Sequence, residues 1–240
     1  MKKIFSVAAL LALFVTSAFA QKKVAVVTFF INKQIDVTEF GGPAQATAMK
    51  LRDDPEFNLT PLLKDFHQQF FDTYAKTFPF DLLPEGDVTG NDIYKKFTMV
   101  EGEGKGLLNA YNYLTPFDGY KIVFPLSGHA SEKELLKIFN QCDGVMDVYI
   151  DFKLVKIGFG GMGVVKAMAK ANIYLINKNG DKVFAIEEDA KSKSVSPLVA
   201  GVPVMTPEKI LPMCESALTE LMNTLPKDLP KMVKKTDAKL

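Results

Sequence analysis

The chain has 240 residues, 48% hydrophobic, 24% charged and 11% aromatic, with a formal net charge of +1. That composition excludes a disordered, collagen-like or disulfide-framework protein. The near-neutral balance gives no electrostatic case for a nucleic-acid partner.

Residues 1–20 read as a secretory signal peptide. Lys2 and Lys3 open it, Ile4 to Val15 is apolar except for Ser6, and Ala18-Phe19-Ala20 is a small-residue cleavage site. The apolar run is short of the ~20 residues that span a bilayer. Cleavage is expected after Ala20, giving a mature start at Gln21 and a periplasmic or secreted location. No cysteine lies at the cleavage point, so lipoprotein processing is not expected. No later apolar run is long enough to predict a transmembrane span.

The remainder reads as one domain over 21–226, with irregular inserts at 36–57 and 89–128 and a basic tail at 227–240. Residues 22–31, almost continuously apolar from Val24, predict a central strand covered on both faces. Thr60-Pro61 opens a helix whose stripe runs through Leu62, Leu63, Phe66, Phe70, Tyr74 and Phe78, with Thr60 as N-cap. His67 borders the stripe and reads as a packed helix histidine. Residues 80–88 predict a short strand. The stretch 101–106 lacks the Gly-Lys-Ser/Thr ending of a phosphate loop and reads as a loop. The tyrosines and phenylalanines at 111, 113, 117, 120 and 124 form either a satellite core or a ligand or glycan grip.

Ser131 and Glu134 predict a capping box for a helix over 132–141. Period-two alternation over 145–157 and 164–176 predicts half-buried antiparallel strands. Asn179-Gly180 predicts a two-residue hairpin turn into a third strand over 182–194. A last helix is expected from Thr206-Pro207 to Leu225, with Pro212 marking where it becomes regular. The small alanine row of the middle strand leaves room for helices to pack closely. The expected fold class is α+β: a mostly antiparallel sheet with a long three-stranded meander and helices on one face.

Few residues suggest chemistry. Gly158-Phe159-Gly160-Gly161-Met162-Gly163 fits a dinucleotide fingerprint, but a strand follows it where the fingerprint needs a helix, so it reads as a hairpin connection. Ser127 and His129 are too close along a loop to face each other. No nucleophile elbow or zinc-ligand spacing is present. No catalytic, metal-binding or cofactor-binding residues, and no cofactor, are expected. Asp87, Asp92 and Asp118 are the acids a carboxylate-dependent hydrolase would draw on. Cys142 and Cys214 are the only cysteines. The strand between them spans about 43 Å, and the helix returns only on the order of 10 Å before Cys214. Two buried free thiols are therefore expected.

The segments Lys22–Phe30, Cys142–Val155 and Lys170–Ser192 together resemble the domain shared by the curli-secretion protein CsgG and the TolB N-terminal region. The resemblance implies an envelope protein that works by binding and assembly. The insert at 89–128 and the missing lipoprotein cysteine depart from the CsgG pattern and argue against pore formation. The expected function is an exported, non-enzymatic binding or assembly protein whose partner is an envelope protein or apolar ligand. A carboxylate-dependent hydrolase and a small-molecule or lipid carrier are the alternatives. The loops 158–163 and 195–206 contain no charge and fall at one end of the sheet. Phe159, Met162, Leu198, Val199, Val202 and Met205 are therefore the candidate interaction face, unless the loops pack on each other or under the 89–128 insert.

Overall fold

The structure is a computed structural model that describes residues 22–99, 111–124, 128–158 and 163–240. The signal-peptide reading, the 101–106 loop, Ser127, Phe159 and Met162 lie outside the described residues.

The centre is β1 (Lys23–Asn32), whose Val24–Ile31 are fully buried. It pairs in parallel with β2 (Asp81–Leu82) on one side and with β4 (Gly144–Ile157) on the other. β3 (Leu114–Pro116) adds antiparallel to the end of β1. β5 (Val164–Asn177) pairs antiparallel with β4 along its whole length, from Gly144↔Asn177 to Ile157↔Val164. The free edge of β5 is shared. β6 (Lys182–Lys191) takes Met168–Ile176, and β7 (Ser196–Val199) takes Val164–Val165. β8 (Val202–Pro203) folds back on β7. The sheet is therefore mixed rather than mostly antiparallel. The residues expected as a meander are integrated into it through the parallel β1–β4 ladder and the divided edge of β5.

Helices cover both faces, not one. On the first face lie α1 (Gly42–Asp53), α2 (Thr60–Gln69, continued by a π turn Phe70–Tyr74 and a 3-10 turn Ala75–Thr77) and the terminal α6 (Pro207–Met232). They share one core with Val24, Val26, Phe29, Met146, Val148, Ala169 and Ile173. On the second face lie α3 (Glu85–Thr89), α4 (Asp92–Lys96) and α5 (Ala130–Ile138). Their Val88, Tyr94, Leu135 and Phe139 meet Ala25, Val27, Val145 and Ile176. Strand residues point alternately to opposite faces, so consecutive apolar residues in β1 serve two cores.

Several local readings are corrected. Residues 36–57 hold α1, not an irregular insert: Ala44, Ala48 and Leu51 recur at helical spacing and are buried. The 80–88 strand is only two residues long, because α3 starts at Glu85 after Pro84. The insert 89–128 contains α4 and β3. Thr60 is the first residue of α2 rather than its cap; Asn58 Oδ1 accepts from Thr60 N. The capping box fails because the helix starts two residues early: His129 is the N-cap, at φ 52°, and Ser131 is buried inside the helix.

The Asn179-Gly180 turn is not a two-residue type I′ turn. Only Gly180 has positive φ, and Asn177 N donates to Asp181 O, which makes a three-residue loop with a bulge. β6 ends at Lys191 because the Ser192 hydroxyl, not the backbone, accepts from Ala167 N. The tail is not a separate basic extension. α6 runs through Pro212, Pro226 and Pro230 to Met232. Each internal proline costs about 3 kcal/mol. Burying Leu225, Leu229 and Val233, at about 1.5–3 kcal/mol each, offsets the cost of Pro226 and Pro230. Beyond the helix, Asn177 Nδ2 donates to Lys239 O and Lys22 Nζ donates to Leu240 O.

Candidate functional site

The end of the sheet where β4 turns into β5 collects the candidate interaction residues. β7 and β8 make a hairpin with pairs Leu198↔Pro203 and Val199↔Val202. Its two turn residues, Ala200 (φ 51°) and Gly201 (φ 80°), are both left-handed. That is the pattern of a type I′ turn, whose twist suits a hairpin.

The hairpin has an inner and an outer side. Leu198 and its partner Pro203 face inward; Val202, although its pairing with Val199 puts it on the other side of the hairpin, also packs against the main core, and Met205 is buried in it at 6% exposure. Met205 is therefore no part of an accessible face, because the chain turns inward there to start α6. Val199 is 61% exposed and Val195 49%. Residues 195, 197 and 199 alternate onto the side opposite Leu198. Pro197 pairs with Val164, and Val164 with Ile157, which is 40% exposed. Paired residues share a face, so Ile157, Val164, Val195, Pro197 and Val199 make one apolar strip on the second face of the sheet. Composition signalled the end of the sheet. The period-two alternation within 195–199 was the unused signal for which side faces water.

The other candidate residues do not assemble into a catalytic set. Asp87, Asp92 and Asp118 are exposed, and no hydrogen bond or ion pair joins them to one another among the described residues. Asp92 sits beside Lys95 at 3.5 Å. His67 is packed as expected. Its ring stacks on Phe117 at 3.6 Å and 6°, and Nε2 lies 2.6 Å from Glu85 Oε1. His129 Nδ1 lies 3.4 Å from Glu132 Oε1. The aromatic residues expected to act together are divided between the faces. Phe117 and Tyr120 join the main core, while Tyr113 and Phe124 pack with Phe30, Leu114 and Tyr149.

Cys142 and Cys214 are both free and buried. Cys142 belongs to the core of the second face and Cys214 to that of the first, so the sheet lies between them. Burial pushes the Cys142 thiol up to about 11 and that of Cys214 higher still. No group of three or more His, Cys, Asp or Glu side chains that could hold a metal occurs among the described residues.

One polar cluster was not visible in the sequence. Asn32 Nδ2 donates to Asp151 Oδ1 and Asn172 Nδ2 to Asp151 Oδ2, both at 3.0 Å. Burial pushes the Asp151 carboxyl above its ordinary range, against the two amides and Lys170, which favour the charged form. Nearby, Glu187 accepts from the Tyr174 hydroxyl at 2.7 Å and pairs with Lys170. These residues come from four strands, and only the register brings them together.

No helix among the described residues is long and apolar enough to cross a membrane. Comparison with known protein families and with curated proteins finds no match to this chain in either.

Proposed function

We propose that this is an exported, non-enzymatic protein of the cell envelope that works by binding another envelope component. The contact surface is the apolar strip Ile157, Val164, Val195, Pro197 and Val199. The observation that carries the reading is the exposure of Val199 on a hairpin anchored in the core through Leu198 and Val202, and of Val195 just before it. A contiguous exposed apolar patch marks a contact surface, and Ile157, Val195 and Val199 are exposed together at one end of the sheet. The resemblance to the CsgG and TolB N-terminal domain supports an assembly role, and the signal-like residues 1–20 support export.

The test is a photo-crosslinking amino acid at position 199 in cells, followed by recovery of adducts from the envelope fraction and N-terminal sequencing of the protein. The expected result is a discrete adduct and a mature start at Gln21. Val199→Asp should remove the interaction, read as loss of co-purification, with the melting temperature unchanged. A strong drop in melting temperature would mean the strip is core. An intact Met1 would overturn export.

A further inference from the structure

The second face of the sheet is covered by α3, α4 and α5 only over part of its width. Beyond them the strands carry a row of stacked rings. Phe30 of β1 and Tyr149 of β4 are directly paired, with centroids 4.8 Å apart and ring planes within 3°. Tyr149 and Tyr174 of β5 continue the stack diagonally, at 6.0 Å and 12°. Each ring face is occupied by the next ring until Tyr174. Directly opposite Tyr174 on β6 stands Ala185, which is exposed. The row of rings stops one strand before the sheet does, and a methyl group lies where a fourth ring would stand.

Among the described residues β6 pairs with β5 alone, so this gap opens sideways as well as outward. Its border is polar and ordered. The Tyr174 hydroxyl and Lys170 both bond Glu187, two residues beyond Ala185. Glu187 is 46% exposed at its side chain and keeps further acceptor sites, and Lys170 at 37% keeps further donors.

We propose that the gap over Ala185 is a saccharide subsite, in which one hexopyranose ring stacks on the outer face of Tyr174 with its hydroxyls on Glu187 and Lys170. An aromatic face is electron-rich and apolar, and the axial C–H groups of a pyranose present a flat, weakly positive surface to it. The same sugar carries equatorial hydroxyls around its rim, which need donors and acceptors in the ring plane. A carboxylate and an ammonium beside the ring supply both. An aromatic side chain from a protein partner would fill the stack but bring nothing for Glu187 and Lys170. The subsite is separate from the apolar strip and does not depend on it.

The chain has no tryptophan, so tyrosine fluorescence is directly readable. Purified protein is titrated with maltotriose, cellotriose and chitotriose, with N-acetylphenylalanine amide as the aromatic competitor. Saturable quenching by at least one trisaccharide is expected. Tyr174→Leu should weaken it about tenfold, the worth of one good ring contact. Ala185→Phe should abolish it while the melting temperature stays level or rises, because a fourth ring extends the stack. If Tyr174→Leu does not fold, Ala185→Phe still decides. The proposal is overturned if no trisaccharide saturates, if only the aromatic amide does, or if the Ala185→Phe protein binds sugar as the parent does.

Discussion

His67 shows how much a single side chain can join. Its ring packs face to face with Phe117, meets Phe29 edge-on at 4.9 Å, and bonds Glu85. It ties α2 to α3 and to the segment after β3. His67→Ala removes the stack and takes the imidazole away from Glu85, leaving Tyr120 beside that carboxylate. We expect a loss of about 2–3 kcal/mol in urea denaturation; a change below about 0.5 kcal/mol would show that the contacts are incidental. The helical stripe made the packing of His67 legible, but not its partners, because Glu85 and Phe117 lie on other elements. Tyr94 makes the same point. Its hydroxyl donates to Val27 O at 2.7 Å and accepts from Lys121 N. The parallel ladder skips Val27 between Val26 and Thr28, and the Tyr94 hydroxyl satisfies the freed carbonyl. Nothing in the spacing of residues 27, 94 and 121 announces this.

Among the elements, long periodic segments were readable and short ones were not. β4 and β5 carry alternation over fourteen residues each, and the structure keeps both almost to the residue. α1 was missed because Gly41-Gly42-Pro43 and Asp53-Asp54-Pro55 signal breaks, yet they fall just at its ends, where helices begin and stop. The prolines of α6 misled for a different reason: they lie inside the helix, and burial of Leu225, Leu229 and Val233 overrode the local preference. The turns exchanged roles. Asn179-Gly180, the stronger signal, lies in a bulged loop, and Ala200-Gly201 forms the tight turn. An alanine at φ 51° is strained by about 1–2 kcal/mol. Ala200→Gly should therefore raise thermal stability, by about 1 kcal/mol after the added freedom of the unfolded chain. A fall in melting temperature would contradict the left-handed turn.

Across the whole molecule, the two-sided cover of the sheet decides the state of the cysteines. The expected separation holds and has a second cause: the thiols are kept apart by opposite faces of the sheet as well as by its opposite ends, Cys142 next to Gly144 and Cys214 in the helix turn bonded to Lys193 and Ser194. In native protein neither thiol should react with an alkylating reagent near neutral pH. After denaturation without reductant, two per chain should react, and titration giving none would mean a bridge. The sequence could not show the second layer of helices, because α3 and α4 are only five residues each and carry no periodic stripe. The apolar strip was half legible: the absence of charge placed it at the correct end, while Met205 and Leu198 turned inward.

The parallel ladder between β1 and β4 also sets a timetable. Val24 has its partner at Gly144, and Ile31 at Ile150, so the earliest strand to emerge during synthesis stays without its main neighbour until most of the chain has followed. β4, β5 and β6, joined by short connections, can zip together as soon as they exist, and β1 must then thread in beside them. Closing so long a loop is slow. If residues 1–20 act as an export signal, as we propose, a chain that delays its own centre in this way would still be open when that signal is read.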